Sequence, residues 1–141
     1  MTDCLIVGAG SSKQKAFEYK NIFTISANLH FPDANCIFAQ DDPILDAILR
    51  KTTEGFTTQP VFTTPQKWQK YKDHHRCILF DHRRFFNCGS LSSGLNAVVL
   101  AQFFGFNKLL LAGFDFDEKP ELSYNIKFDS IKSEKIKYVF L

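Results

Sequence analysis

The most strongly patterned segment of the chain is 90–117, SLSSGLNAVVLAQFFGFNKLLLAGFDFD. Its part 95–104 holds only two polar residues, which predicts a helix that packs on more than one side. Ser92 or Ser93 is placed to cap that helix, because a hydroxyl there can accept a hydrogen bond from a first-turn N–H. The run 109–112 lacks polar alternation, which is typical of a strand covered on both faces. The segment therefore predicts a buried helix followed by a buried strand.

Similar strand-length apolar runs recur along the chain, with helical patterns between most of them. A first strand that enters a glycine turn is predicted within 3–10. Further strands are predicted for 21–25, 35–40, 59–62, 77–80, 108–112 and 135–141. Helices are predicted for 11–19, 43–51, 65–71 and 95–104. Gly105 fits the left-handed position at which the last of these helices ends. The alternation predicts an α/β fold with a mostly parallel central sheet and helices on both faces.

Composition narrows the class of protein. At 141 residues the chain is expected to form one domain, 1–141, and to bury about two-thirds of its unfolded surface. Sixteen phenylalanines indicate a core filled with aromatic side chains. A net charge of +2 is too small to favour nucleic acid or an anionic membrane as a general partner. No secretory signal is visible, and no apolar run approaches the ~20 residues of a membrane helix.

The four cysteines are Cys4, Cys36, Cys77 and Cys88, and they form no CxxC pair. The first three lie in or beside apolar, strand-like runs, where cysteine usually behaves as a small hydrophobic residue. Their spacing favours reduced structural thiols over a disulfide framework or a zinc site. We therefore expect a reducing, cytoplasmic setting.

The glycine turn after the first strand is a weak phosphate-binding signal. Backbone N–H groups exposed at such a turn can bind a phosphate, and a bare structural turn explains the pattern equally well. The dinucleotide fingerprint fails, because its third glycine would fall at Lys13. The second strand ends in Ser-Ala-Asn, 26–28, without the acidic residue that would hold a ribose. NAD is thus disfavoured, and the Walker pattern is also absent.

Two polar clusters follow other predicted strands. Asp41 and Asp42 precede a proline at a helix start, so capping by Asp42 is favoured over metal binding. His82 follows Asp81 and could be an oriented general base, although neighbouring residues of a strand point to opposite faces. The arginines at 83–84 could bind a phosphate or carboxylate, but a solvated loop is the commoner explanation.

The glycine turn after the first strand and the Ser-Ser-Gly turn before the helix at 95–104 occur together in one known family. In both turns the chain resembles the bacterial sialyltransferases of glycosyltransferase family 42. The segment SSGLNAVVLAQFFGFNKLLLAGFDF resembles a signature in which a Thr-Ser-Gly turn precedes an apolar helix, a glycine-aromatic turn and a strand ending in Asp-Phe. LIVGAGSS resembles the family's first strand followed by GNGPS, and Ser-Ala-Asn resembles its Arg-Cys-Asn. The 6-hydroxymethylpterin diphosphokinase-like group shares this arrangement. The resemblance implies a single Rossmann-like domain.

The family binds the cytidine nucleotide of CMP-sialic acid, and the matching positions can be carried over. The resemblance implies that the nucleotide-binding residues are Gly8, Gly10, Ser11, Asn28, Ser93 and Gly94. It also places Asp41–Pro43 where the family has an Asn-Pro that faces the nucleotide, and Tyr124 where a tyrosine touches the leaving phosphate. A CMP-type nucleotide or nucleotide sugar is then the expected ligand, and no other cofactor is expected.

The departures from the family concern its catalytic residues. Ser90 replaces an arginine, Asp117 replaces a tyrosine, and no histidine follows His82 where the family has its general base. If the chain is catalytic, the implied candidates are His82, His74, His75, Asp115, Asp117 and Tyr124. The short length favours a pared-down relative, of the kind that a compact viral genome carries.

Two alternatives remain open at the level of sequence. The first is a non-enzymatic interaction module, for which exposed phenylalanines at a homo-oligomer surface would be the signature. The second is Mg²⁺-dependent pyrophosphoryl transfer, which requires at least two of four aspartates to converge. Those aspartates are Asp41, Asp42, Asp115 and Asp117.

Overall fold

The computed structural model describes residues 3–50, 59–114 and 122–141, without the side chains of Arg50 and of 122–126. Seven strands form one sheet in the order β5-β4-β3-β2-β1-β6-β7. Their bounds are β1 Asp3–Val7, β2 Phe23–Ala27, β3 Cys36–Phe38, β4 Val61–Thr63, β5 Cys77–Leu79, β6 Lys108–Ala112 and β7 Lys137–Phe140. Every neighbouring pair is parallel, so the predicted mostly parallel α/β sheet is confirmed as parallel throughout these strands.

Helices connect most of the strands. The α-helices are α1 Asp42–Arg50, α2 Pro65–Tyr71, α3 Ser93–Phe103 and α4 Leu122–Ile131. Two 3-10 helices, Ser11–Glu18 and His82–Arg84, follow β1 and β5. A segment between β6 and β7 that the sequence pattern left unassigned thus contains α4. In the described part of the chain, no helix is long and apolar enough to cross a membrane.

The strand order creates a switch point between β1 and β6. From β1 the chain proceeds outward through β2 to β5, then returns to pair β6 with the other side of β1. The connections that leave these two central strands therefore run to opposite sides of the sheet. In open α/β sheets, ligands bind beyond the carboxyl ends of the strands at such a point.

Hydrophobic layers cover both faces of the sheet, as the apolar runs predicted. On one face, Cys4 and Ile6 of β1 belong to a cluster with α3 and with Phe128 and Ile131 of α4. On the other face, Leu5 packs in a cluster that includes Ala16 of the first 3-10 helix. A further cluster places α1 and α2 over β3 to β5. Because successive residues of a strand point to opposite faces, a strand covered in this way must be apolar at every position.

The end of α3 follows the sequence prediction in detail. Gly105 has φ +94°, its N–H donates to the Gln102 carbonyl at 3.0 Å, and the Phe106 N–H donates to the Ala101 carbonyl at 3.3 Å. These two bonds are those of a Schellman motif, which satisfies carbonyls that the helix itself leaves unpaired. Of the two capping candidates, Ser92 is the cap, since its Oγ accepts from the Leu95 N–H at 3.3 Å.

One capping prediction is wrong. The helix α1 begins at Asp42, and the Asp41 carbonyl accepts the first helical bond, from Leu45 N–H at 2.9 Å. Asp42 thus lies inside the first turn, where its carboxylate pairs with Lys67 at 3.1 Å and Lys70 at 3.2 Å. Two lysines on α2 outcompete the local backbone for this carboxylate, and they hold its pKa below the usual value.

Candidate functional site

The glycine turn after β1 is bonded to the end of β6. The Gly8 N–H donates to the Ala112 carbonyl at 2.7 Å, and the Gly10 N–H donates to the Gly113 carbonyl at 2.9 Å. In return, Ser12 Oγ accepts from the Gly113 N–H at 2.8 Å. These bonds bring two chain segments about a hundred residues apart together at the switch point. The N–H groups of Gly8 and Gly10 are consequently occupied and are not exposed to a phosphate as the sequence suggested.

A cavity of about 230 Å³ lies at this switch point, and we call it the crevice. It is lined by Gly8, Ala9, Ala27, Asn28, Gln40, Asp41, Ser92, Ser93, Gly94, Gly113 and Phe114. Four of the six residues that the resemblance assigned to nucleotide binding therefore lie around one space, namely Gly8, Asn28, Ser93 and Gly94. The other two, Gly10 and Ser11, lie in the same turn but do not line the crevice.

The amino terminus of α3 forms one wall of the crevice. Ser93 and Gly94 occupy its first turn, whose N–H groups have no partner inside the helix and carry a partial positive charge. The side chain of Ser93 is buried, and its Oγ has no hydrogen-bond partner. A buried hydroxyl without a partner is uncommon, because it costs free energy comparable to a lost hydrogen bond. This wall is suited to an anionic, hydrogen-bonding group.

Asn28 also lines the crevice, and its backbone is in a left-handed conformation with φ +54°. Its Nδ2 donates to the Asp41 carboxylate, and its Oδ1 accepts from the Gln40 N–H at 3.5 Å. Asparagine tolerates this conformation better than most residues, which explains its place at the end of β2. The side chain therefore joins the ends of β2 and β3 and holds Asp41 at the crevice.

A second cavity, of about 430 Å³, shares Gln40 and Asp41 with the crevice. Its other walls come from the start of α2, from the turn after β5 and from the segment before α3. Asn96 and His82, both buried, contribute to its lining. Because they share these two residues, the two cavities adjoin each other.

No protein-family model matches the chain, and no curated protein sequence matches it. Solved structures do match it over its whole length. One is the sialyltransferase CstII from Campylobacter jejuni in complex with a substrate analogue, cytidine-5'-monophosphate, with a TM-score of 0.65. Another is the same enzyme in complex with CMP-3FNeuAc, with a TM-score of 0.66. Both comparisons cover 100% of this chain and 80% of the other at 16% sequence identity.

The fold is similar to that of the sialyltransferase CstII. At 16% identity the likeness concerns the fold, and it agrees with the family resemblance found in the sequence. The Rossmann-like prediction is confirmed, with a parallel sheet and helices on both faces. The roles of individual residues stay predictions.

The candidate base His82 lies at the second cavity and not at the crevice. Its Nε2 bonds to the Gly89 carbonyl, so Nε2 must carry the proton and any base function falls to Nδ1. Asp81 does not orient it as proposed, because the Asp81 carboxylate accepts from the Arg83 N–H at 3.1 Å and from its Nε at 3.0 Å. The hydrogen bond from the Arg83 side chain holds the pKa of Asp81 below its usual value.

His74 and His75 are excluded as bases at the crevice by the direction of the strands. They precede β5, and since all the strands are parallel they lie at the amino-terminal edge of the sheet. Their rings stack at 5.0 Å, and His74 Nδ1 accepts from the Arg76 N–H at 3.2 Å. Burial, followed by the charge of His75, lowers the pKa of His74. The two imidazoles therefore belong to the local structure before β5.

The remaining catalytic and metal candidates are only partly described. Asp115 and Asp117 lie outside the described residues, as does the side chain of Tyr124 in α4. Asp41 and Asp42 are engaged with Asn28 and with two lysines, respectively. Within 3–50, 59–114 and 122–141, no three His, Cys, Asp or Glu side chains are grouped closely enough to hold a metal ion.

The crevice residues that sequence reasoning did not assign to a ligand include Gln40, Gly113 and Phe114. A signal for the last two was present, since they directly follow the buried strand β6, where open parallel sheets place ligands. Gly113 is also constrained, because a Cβ there would lie 2.3 Å from the Gly8 carbonyl oxygen. Gln40 carried no such signal, because its role depends on the pairing of β3 with β2 and on the approach of α3.

Proposed function

We propose that the chain binds a CMP-type nucleotide or nucleotide sugar in the crevice. The observation that carries the proposal is the wall formed by α3, where the unpartnered Ser93 Oγ stands beside the first-turn N–H groups at the switch point. Helix N-termini of this kind bind phosphates. The two similar structures are described as complexes with CMP and with CMP-3FNeuAc, which supports a cytidine nucleotide as the first ligand to test.

We propose a part for each wall in such a complex. The N–H groups of Gly8 and Gly10 are occupied, so among the crevice residues the phosphate is held by the α3 terminus. Ser93 Oγ turns toward the phosphate and gains the hydrogen bond that it lacks. Gly8 and Gly113 present backbone without side chains, which keeps the crevice open at its base. Asp41, held by Asn28, accepts hydrogen bonds from ribose hydroxyls.

The finer proposal is that the bound nucleotide is the donor in a glycosyl transfer resembling that of sialyltransferases. His82 Nδ1, at the adjoining cavity, is the described group best suited to take a proton there. Donor hydrolysis and transfer assays with wild-type protein and His82→Gln test this step. A rate that His82→Gln leaves unchanged would assign the proton transfer to another residue.

A nucleotide panel tests binding directly. Thermal unfolding is measured with CMP, CDP, UDP and GDP, each with and without Mg²⁺. We expect CMP and CDP to raise the unfolding temperature, and Ser93→Ala to reduce that rise. Stabilisation that requires Mg²⁺ would instead favour the pyrophosphoryl-transfer alternative. No stabilisation by any nucleotide in either condition would refute the proposal.

A non-enzymatic interaction module remains the second proposal, and an exposed aromatic patch favours it. Phe85, Phe103 and Phe104 are 47%, 59% and 40% exposed, and Phe85 and Phe103 contact each other with ring centroids 5.3 Å apart. Ile78 and Leu79 of the edge strand β5 are also exposed. A cluster of exposed aromatic side chains, such as that of Phe85, Phe103 and Phe104, is typical of interaction sites.

Light scattering after gel filtration distinguishes this module from a monomeric nucleotide-binding domain. A homo-oligomer that dissociates in the double variant Phe85→Ser, Phe103→Ser supports the module. A wild-type monomer that binds CMP supports the first proposal alone.

We also propose a cytoplasmic setting, since all four cysteines are free thiols.

A further inference from the structure

The described residues that line the crevice include no cation. Asp41 contributes a carboxylate, and the other lining residues are uncharged. The amino terminus of α3 supplies a partial positive charge, equivalent to about half an elementary charge. A phosphate monoester such as that of CMP carries up to about two negative charges at neutral pH. A phosphate bound at α3 therefore needs a cation that reaches it from outside the lining.

Three cations of α2 and of the turn after β5 already have carboxylate partners. Lys67 and Lys70 pair with Asp42, at 3.1 Å and 3.2 Å respectively. Arg83 pairs with Asp81 at 3.0 Å. Each of these cations belongs to a local ion pair, so none of them is well suited to balance a charge in the crevice.

Lys127 of α4 differs, because its ammonium group lies beside the segment that leads into α3. Its Nζ donates to the Ser90 carbonyl at 2.9 Å. Within the described part of the chain no carboxylate pairs with it, and an ammonium group has two further donors to offer. Ser90 precedes the crevice residue Ser92 by two positions, so their Cα atoms are at most about 7 Å apart. The ammonium group is thus within reach of the α3 terminus.

The direction of α4 also aims Lys127 at the crevice. The helix follows β6 and precedes β7, and because these strands are parallel it runs from the carboxyl edge of the sheet to the amino edge. Side chains of a helix tilt toward its amino terminus, so that of Lys127 extends toward the carboxyl edge. Phe128 and Ile131 pack into the cluster around α3, which holds the helix beside it.

We propose that Lys127 binds the phosphate of the nucleotide and makes the crevice selective for a phosphorylated ligand over the bare nucleoside. The side chain rotates so that Nζ donates to a phosphate oxygen at the start of α3. This role rests on the proposed function, because it requires a nucleotide in the crevice. Neither the family resemblance nor the lining of the crevice assigns Lys127.

Calorimetric titration with CMP and with cytidine at pH 8 tests the role of Lys127. We expect Lys127→Gln to weaken CMP binding roughly fivefold to tenfold, the loss of one charge-assisted contact, and to leave cytidine binding unchanged. Lys127→Arg should retain most of the CMP affinity, because it keeps the charge. Added salt should weaken CMP binding more in the wild-type protein than in Lys127→Gln, since salt screens an exposed pair of charges.

Two control variants carry the same change of net charge. Lys13 follows the glycine turn at the edge of the sheet that holds the crevice, whereas Lys135 precedes β7 at the opposite edge. Lys13→Gln and Lys135→Gln should both bind CMP as the wild-type protein does. A loss of CMP affinity in either control equal to that of Lys127→Gln would show a general effect of charge and overturn the direct contact.

Phosphorus NMR gives a readout that a structural role of Lys127 would not change. An ammonium group in contact with the phosphate favours its doubly charged form. The pKa of the phosphate of bound CMP should therefore be lower in the wild-type protein than in Lys127→Gln. Equal values in the two proteins would contradict the contact. If Lys127→Gln does not fold, Lys127→Met takes its place in both measurements.

The titrations distinguish failure of this role from failure of the proposed function. Equal CMP affinities of the wild-type protein and Lys127→Gln, or an equal loss for CMP and cytidine, would overturn the role of Lys127 while CMP binding stands. Absence of CMP binding by the wild-type protein would refute the proposed function, and the role of Lys127 with it.

Discussion

Ser92 and Ser93 are adjacent at the start of α3, and their hydroxyls have different surroundings. Ser92 Oγ caps the helix by accepting from the Leu95 N–H, whereas Ser93 Oγ is buried without a partner. We expect Ser92→Ala to lower the free energy of unfolding by about 1 kcal/mol, the usual cost of a lost cap. Ser93→Ala removes a desolvated hydroxyl and should leave the free energy of unfolding unchanged or raise it by up to about 1 kcal/mol.

Urea unfolding of both variants measures these effects, and CMP titration completes the comparison. If Ser93 serves the ligand, its replacement raises stability and lowers nucleotide affinity, as expected when a residue is kept for function at the expense of stability. Equal destabilisation by the two substitutions would show that Ser93 has a structural role instead.

The thiols provide a second prediction at the residue scale. Burial raises the pKa of Cys36 to about 12, and burial followed by the proximity of Cys36 raises that of Cys4 further. Burial also raises the pKa of Cys77, whereas Cys88 is only half-buried. At pH 8 we expect iodoacetamide to modify Cys88 first, and the other three only as the protein unfolds. Mass spectrometry of peptides at successive times gives the order.

The same thiols make stability depend on pH in the alkaline range. A thiol of the unfolded chain ionises near the ordinary cysteine pKa of 9.0, whereas the folded chain keeps Cys36 protonated up to about 12. The folded state is therefore favoured fully below pH 9, and this contribution is lost as the pH rises toward 12. A Cys36→Ala variant should show a weaker loss of stability over that window than the wild-type protein, as measured by urea unfolding at successive pH values.

At the scale of elements, the approach of two turns determines where the crevice opens. Gly113 has φ +78°, and a Cβ there would lie 2.3 Å from the Gly8 carbonyl oxygen. Gly105 has a similar φ of +94°, but nothing lies within 4 Å of its Cβ position. We expect Gly105→Ala to cost about 1–3 kcal/mol through backbone strain alone. Gly113→Ala should cost clearly more, since the backbone of Gly8 must also move.

Gly105→Ala is the matched control, because it shares the left-handed conformation without the contact. Chemical unfolding of both variants measures the difference between their losses of stability. If Gly113→Ala does not fold, the soluble yields of the two variants are compared instead. Similar costs for the two substitutions would mean that the β1 and β6 turns separate easily, and the close approach of Gly8 and Gly113 at the crevice would then be incorrect.

The same elements show what the sequence could and could not predict. The helix α3, its Schellman end and β6 were predictable because burial and glycine placement are local signals. The helix α4 was not, since Tyr124, Ile126 and Phe128 also fit the alternation of a strand. Its choice of helix is a tertiary effect, as Phe128 and Ile131 pack into the cluster around α3.

The features of the crevice that the sequence could not predict likewise depend on tertiary structure. The family resemblance, and not local spacing, assigned Gly8, Asn28, Ser93 and Gly94 to the ligand, and all four line the crevice. The occupied N–H of Gly10 and the displacement of Asp42 toward two lysines depend on strand order and on the position of α2. Neither could be derived from one-dimensional spacing. The same holds for His82, whose bond to Gly89 requires the folded turn.

At the scale of the whole molecule, the crevice lies where the two directions of strand progression meet. Strands β2 to β5 extend from one side of β1, and β6 and β7 extend from the other. A nucleotide bound in the crevice as proposed would contact both groups, because Asn28 and Gly113 both line it. It would also contact α3, which packs against β1, β2 and β3. Binding should therefore stabilise the global fold as well as one loop.

Hydrogen exchange with and without CMP tests this coupling. At a nucleotide concentration of 100 times the dissociation constant, the free energy of unfolding should rise by about 2.7 kcal/mol, so amides that exchange through global unfolding slow about a hundredfold. We expect additional local protection at 8–10, 28, 93–96 and 113–114, and none at the start of α2. Protection confined to the second cavity would place the nucleotide there. Protection of one strand group alone would show that the ligand does not span the switch point.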